Sequence, residues 1–228
     1  MRRQQQVWLD EHTNPDSLPA MNRERAGSGV IAFVEHLKSL DVPISGKALD
    51  IGCGKGRNSI YLATVGYHVF AIDYIGPALD IAKEFAIREK VPNKIDFIQA
   101  EMDASWQFED NFFDVSVDCF SSIDIETKTG RETYRDEFYR TLKPGGYAMV
   151  NVCSSDDEWE NEAIENNPGS EPNSAYWPSG KFQKNYDEAE LRQFYKQFKI
   201  LDIKKISKPG EKLGRKGMAT NYWVLLQK

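Results

Sequence analysis

Short apolar runs alternate with amphipathic stretches along most of this chain. Val30, Ile31, Val34 and Leu37 recur at helical spacing, which predicts a helix ending near Leu40. Ala48 to Gly52 reads as a short buried strand, and Asn58 to Val65 as a helix stopped by Gly66. His68 to Asp73 predicts a second strand, and Pro77 to Lys90 a helix with the proline in its first turn. Lys94 to Ala100 alternates through Ile95 and Phe97 as a third strand should, and Phe112 to Cys119 supplies a fourth. Thr129 to Leu142 reads as a charged amphipathic helix, after which Pro144-Gly145-Gly146 turns the chain into a fifth strand, Tyr147 to Val152.

Strand and helix in strict alternation predict a parallel sheet with helices on both faces. The last quarter departs from that pattern. After a polar insertion, Ser154 to Asn185, comes a helix opened by Asp187 with Glu190 three residues on, a capping-box arrangement. Two strands follow, Lys199 to Ser207 and Thr220 to Gln227. The connection KPGEKLGRKGM between them reads as a hairpin loop, so this pair is antiparallel. The expected fold is α/β: a doubly wound, Rossmann-like sheet of seven strands, mostly parallel and closed by a C-terminal antiparallel hairpin.

Composition narrows the function. The chain has 228 residues, 40% of them hydrophobic, enough for one large domain with a real core. A net charge of -6 and a pI of about 5.3 argue against a general nucleic-acid binder, and no DNA partner is expected. The N-terminus, MRRQQQVWLDEH, lacks a signal peptide's apolar run, and no stretch approaches the roughly 20 apolar residues of a membrane span. Three cysteines give neither a disulfide framework nor a CxxC pair. These features predict a soluble, cytoplasmic protein, a monomer or homodimer, without a metal site.

The candidate chemistry begins at Gly52-Cys53-Gly54-Lys55-Gly56. Dinucleotide folds use GxGxxG; this turn is GxGxG, with Asp50 two residues ahead of it. A carboxylate there repels a pyrophosphate and attracts a cationic ligand. S-adenosylmethionine is such a ligand, with a sulfonium, an ammonium and one carboxylate. Asp73, at the end of the second strand, is placed to accept ribose hydroxyls. Asp103, after the third, is placed to accept an adenine amino group, with Met102 packing on the ring.

The motifs LDIGCGKGRN, VFAIDY, AEMD, FFDVSVDCFSSID and RTLKPGGYAMV resemble those of the class I S-adenosylmethionine-dependent methyltransferases (EC 2.1.1.-). Within that superfamily, GRNSIYLATVGYHVFAID is similar to the tellurite-resistance methyltransferases and to other small-molecule enzymes. The resemblance implies that Asp50, Gly52, Cys53, Gly54 and Gly56, with Asn58 of the same motif, meet the methionine end. It implies Asp73 and Tyr74 at the ribose, Met102, Asp103 and Ala104 at the adenine, and Cys119, Phe120 and Ser121 beside the transferred methyl. In small-molecule members an N-terminal arm often folds over the cofactor. Residues 1–45 are therefore expected to form such an arm and helix, and residues 46–228 the methyltransferase domain, with 154–185 as its lid.

The acceptor is less defined. Asp124 and Glu126 read as bases or as anchors for a cationic substrate, with capping of the next helix as the commoner role. His36 and His68 read as structural, whereas His12 belongs either to the covering arm or to a solvated tail. The acids of the insertion, Asp156, Asp157, Glu158, Glu160 and Glu162, favour an amine only if they face inward. Cys53, Cys119 and Cys153 all fall at strand ends, where they are packing residues or suit a soft acceptor. The expected activity is methyl transfer to a small molecule. The alternatives are a protein or RNA methyltransferase docked through the basic run Lys204 to Lys216, or a non-catalytic cofactor-binding module.

Overall fold

The computed structural model describes residues 4–14, 23–212 and 215–228. Leu213 and Gly214, within the expected hairpin loop, lie outside them.

A sheet of seven strands forms the centre, in the order β3-β2-β1-β4-β5-β9-β8. Its strands are β1 (Lys47–Ile51), β2 (His68–Asp73), β3 (Ile95–Gln99), β4 (Phe113–Cys119), β5 (Leu142–Cys153), β8 (Lys199–Lys212) and β9 (Arg215–Gln227). The first five are parallel to one another, and β9 runs antiparallel to both β5 and β8. Leu49, Ile51, Val69, Ala71 and Val117 in the central strands are 0% exposed, as expected for strands covered on both faces.

Helices cover each face. On one side α2 (Ser28–Ser39), α3 (Arg57–Val65) and α4 (Gly76–Arg88) bury Phe33, Leu37, Leu62 and Leu79 against the sheet. On the other, α5 (Lys128–Thr141) and α7 (Glu188–Phe194) bury Tyr134, Phe138 and Leu191. The capping box expected at Asp187 and Glu190 is formed in both directions. Trp223 ties α2 to the sheet by donating its indole N–H to the Gly29 carbonyl.

Two strand boundaries differ from the sequence reading. Strand β5 begins at Leu142, directly after α5, so Pro144-Gly145-Gly146 lies within it, next to a register shift between Phe113 and Val115. The expected loop KPGEKLGRKGM is mostly paired strand, with the β8–β9 ladder running out to Lys212 and Arg215. Its Gly and Lys content suggested a loop, but a neighbour supplies the missing apolar partner. The insertion folds as α6 (Glu158–Asn166) and a short hairpin of β6 (Ser174–Tyr176) and β7 (Phe182–Lys184). Trp159 of α6 lies against Gly210 and Gly217; a Cβ on Gly217 would press on its ring at 3.0 Å and collide with Glu158 at 2.5 Å, whereas one on Gly210 would make ordinary contact. Glycine therefore marks a packing face here.

The same contact answers where the insertion's acids point. Glu158 accepts the Met218 N–H, Asp157 caps α6 and accepts the Thr220 N–H, Asp156 pairs with Lys205, and Glu162 pairs with Arg215. These four hold the β8–β9 arm. Glu160 alone of the five turns inward and is 2% exposed.

Candidate active site

Strand β1 is the switch point of the sheet, with its neighbours β2 and β4 reached in opposite directions. The register pairs Ile51 with Ile72 on one side and with Asp118 on the other. Gly52, Asp73 and Cys119 therefore end at one level, at the carboxyl edge where open α/β sheets hold ligands. A cavity of about 760 Å³ opens there, within the size range of small-molecule sites.

Its floor is the glycine turn. Gly52, Gly54 and Gly56 have φ of +63°, +53° and +81°, a region that costs other residues roughly 1–2 kcal/mol. At Gly52 a Cβ would lie 2.4 Å from the side chain of Ser121, whose hydroxyl donates to the Gly52 carbonyl at 3.2 Å. Asp73 fixes the turn from the next strand: its two oxygens accept the N–H groups of Gly54 (2.8 Å) and Ile75 (2.9 Å). Each oxygen keeps a further acceptor position. Burial holds the Asp73 carboxyl above its ordinary range, opposed by those backbone hydrogen bonds.

Of the residues singled out in the sequence, Gly52, Cys53, Gly54, Asn58, Asp73, Tyr74, Met102, Asp103, Cys119, Phe120 and Ser121 line this cavity. Asp50, Gly56 and Ala104 are outside the lining. Asp50 is 1% exposed and accepts the hydroxyl of Ser59, in the opening turn of α3, at 2.5 Å. Gly56 is needed for packing, since a Cβ there would meet Ala82 at 2.9 Å. The three free cysteines all line the cavity.

Burial pushes the Asp50 carboxyl up to about 7, with the Ser59 hydrogen bond opposing. Such a group retains its proton in the folded chain at pH values where the unfolded chain has lost it. Its contribution to stability therefore falls as pH rises from about 4 to about 7. Asp50→Asn is expected to gain thermal stability relative to the parent across that window. Melting temperatures at about pH 5 and about pH 8 check this, with the larger gain at the higher pH. An equal difference at both would show that Asp50 titrates normally.

The roof is built by segments far apart in the chain. Helix α1 (Gln5–Thr13) crosses the glycine turn, and a Cβ on Gly54 would lie 3.2 Å from the His12 ring. The Gln4 side chain accepts the Phe182 N–H of β7 at 3.1 Å, Glu11 pairs with Lys181 at 3.5 Å, and the Lys181 ammonium lies over the Trp8 ring. His12 is 4% exposed, and burial, aided by Lys55 and Lys181, pushes its imidazole down to about 4. It is neutral at physiological pH. The other histidines are remote: His68 pairs with Asp96 on the surface and His36 meets the edge of Trp223.

Asp124 lines the cavity and does not cap α5; Thr127 does, accepting the Gly130 N–H. Glu126 accepts the Tyr176 hydroxyl at 2.9 Å. Gln4, Arg23, Lys55, Arg57, Lys181 and Gln183 also line the cavity and were missed in the sequence. Lys55 and Arg57 adjoin the glycines, so their position was readable. The others come from segments whose folding over the site no local pattern announces.

A family model described as "Methyltransferase domain" matches residues 48–146, from β1 into β5. Hemagglutinin 1 of Eikenella corrodens is 30% identical over 158 residues, 68% of this chain and 44% of that protein. The putative methyltransferase YqeM of Bacillus subtilis is 34% identical over 115 residues, 50% of this chain and 45% of that protein. The chain thus spans about half the length of these curated relatives. A solved structure of a SAM-dependent methyltransferase from Methanosarcina mazei superposes with a TM-score of 0.69 at 24% identity, covering 80% of this chain and 92% of the other. The family match takes in the glycine turn, Asp73 and the segment after β4 that together frame the cavity, so residues 48–146 carry a methyltransferase domain, in a chain whose fold is that of the solved S-adenosylmethionine-dependent methyltransferase.

Proposed function

We propose that this protein transfers a methyl group from S-adenosyl-L-methionine to a small molecule held in the cavity above β1. The observation that carries the proposal is the Gly52 turn, kept free of side-chain atoms at φ +63° and opening into a cavity roofed by the same chain. When bound, the cofactor supplies a methyl group already activated by its sulfonium.

The residues fit that ligand. Gly52 and Gly54 would let the backbone approach the methionine end, with Lys55, Arg57 and the start of α3 available to its carboxylate. Asp73 and Tyr74 would hold the ribose, and Met102 and Asp103 the adenine. Cys119, Phe120 and Ser121 would border the transferred methyl. Helix α1 and the β6–β7 hairpin would exclude water and keep donor and acceptor aligned.

A small acceptor is favoured because α1 and the insertion close over the cavity. The basic β8–β9 arm is less suited to docking a macromolecule, since Lys205 and Arg215 are engaged by Asp156 and Glu162. The three free thiols support a reducing compartment such as the cytoplasm. Among the described residues, no helix is long and apolar enough to cross a membrane.

Incubation with methyl-labelled cofactor and a whole-cell lysate tests the substrate class. Mass spectrometry is expected to find the label in metabolites. Label confined to protein or RNA would overturn the small-molecule assignment.

A further inference from the structure

Beyond the glycine turn, the cavity runs to a region rich in carboxylates. Asp124 lines it, in the short helical turn Ser122–Asp124 that follows β4. Three further acids act on Asp124 from separate elements: Glu11 from α1, Glu160 from α6 and Asp118 from β4. Lys181, between β6 and β7, is the cation that opposes them. That lysine already pairs with Glu11. Asp118 is saturated by the N–H groups of Ser121 and Ser122 and by the Tyr134 hydroxyl. The local balance of charge is negative.

The same volume holds polar atoms with nothing to bond. Asp124 Oδ1, His12 Nδ1 and Gln4 Nε2 are buried and have no hydrogen-bond partner among the described residues. His12 and Gln4 are 4% and 6% exposed, and both line the cavity with Asp124. Buried polar atoms left unpaired destabilise the fold. A ligand that donates hydrogen bonds to a carboxylate and an imidazole would remove that cost at Asp124 and His12, while the Gln4 amide, a donor, needs an acceptor. Neutral donors satisfy the hydrogen bonds alone, whereas a protonated amine satisfies the charge as well.

We propose that the methyl acceptor is a primary or secondary amine whose nitrogen lies against Asp124, the residue that takes its proton. This rests on the methyltransferase function argued above. The ammonium gives one proton to the Asp124 carboxylate, and the freed lone pair forms the new nitrogen–carbon bond. As that bond forms, the electron pair of the broken carbon–sulfur bond stays on sulfur. The products are the methylated ammonium, neutral S-adenosylhomocysteine and protonated Asp124, with one positive charge in total before and after. Of the two unpaired groups that could take the proton, His12 is the weaker base, held down to about 4. Burial pushes Asp124 up to about 8, helped by Glu11, Glu160 and Asp118 and opposed by Lys181. A base poised near neutral pH transfers protons most effectively.

The test uses the full chain, methyl-labelled S-adenosyl-L-methionine and a cell metabolite extract split by strong cation exchange. Label is expected in the retained amine fraction and not in the unretained one. Asp124→Asn should lower that rate by about 100-fold or more, while calorimetry shows cofactor affinity within about twofold of the parent, well under the tenfold that 1.4 kcal/mol represents. The parent's kcat/KM should rise with pH through about 8, and this limb should vanish in Asp124→Asn. Asp124→Glu should restore part of the rate, which a purely structural role would not allow. Label in the unretained fraction alone, or in neither fraction with cofactor bound, would overturn the proposal. So would Asp124→Asn with the parent's rate and pH profile. Failure to bind the cofactor at all would instead remove the methyltransferase function, and the amine assignment with it.

Discussion

Replacing Gly52 with alanine is expected to weaken S-adenosyl-L-methionine binding by at least about 100-fold, close to 3 kcal/mol. Two costs combine. The backbone at φ +63° disfavours any Cβ, by roughly 1–2 kcal/mol. The new methyl would also lie 2.4 Å from Cβ and Oγ of Ser121, and 3.4 Å from the Met102 methyl. Ser121 can yield only by giving up its bond to the Gly52 carbonyl and moving the turn after β4, which borders the same cavity. Gly145→Ala is the control: its φ is +79°, but a Cβ there meets nothing within 4 Å. It should lose only the backbone share of stability, roughly 1–2 kcal/mol, with cofactor affinity unchanged. Calorimetry on both variants reads the difference, and equal affinities would show that the turn does not carry the site.

The largest loss of stability is expected at Asp118. It is 0% exposed and accepts the N–H of Ser121 at 2.8 Å, the N–H of Ser122 at 3.2 Å and the Tyr134 hydroxyl at 2.7 Å. Asp118→Ala strands three buried donors, each costing roughly 1–3 kcal/mol unpaired, for a total of about 3–5 kcal/mol once water reaches some of them. For a domain of this size that is a fall in melting temperature of about 6–20 °C. Asp118→Asn keeps one carbonyl acceptor and should lose about a third as much. Denaturant unfolding of both variants measures this. An alanine variant as stable as the parent would mean that the network contributes nothing. Because the stranded groups belong to the turn that meets Gly52, the alanine variant should also bind the cofactor less tightly.

The sheet was legible because each central strand is a short apolar run bounded by turn residues. Leu49, Ile51, Val69 and Ala71 are buried on both faces, and that burial is what a continuous apolar run reports. The glycine turn and Asp73 were legible for a related reason: backbone geometry at φ above zero demands particular residue types within a few positions. Direction was harder to read. The Asp50 carboxylate, expected to face a ligand, is outside the cavity lining and accepts the Ser59 hydroxyl. The insertion's acids were candidates for the cavity only if they faced inward, and Asp156, Asp157, Glu158 and Glu162 meet the β8–β9 arm instead. Gly217 looked like a loop residue, and the reason for it is the close approach of Glu158 and Trp159, more than 50 positions away in sequence.

The roof was the least legible part. Nothing in QQVWLDEHT announces that Trp8 and His12 meet Lys181 and the glycine turn. Such contacts depend on chain segments separated by nearly the whole sequence, and local patterning carries no information about them. The thiols are a comparable case. Their places at strand ends were legible, and all three border the cavity. Burial nonetheless pushes Cys119 up to about 11 and Cys53 well above the usual thiol range, which suits neutral packing groups better than thiolates.

Calorimetric titration of the full chain with S-adenosyl-L-methionine and, separately, with NAD tests the central claim most directly. The GxGxG turn at Gly52, one residue shorter than the dinucleotide GxGxxG, and Asp73 predict micromolar binding of the methyl donor and no measurable heat with NAD. Tight binding of NAD, with no response to S-adenosyl-L-methionine, would contradict it.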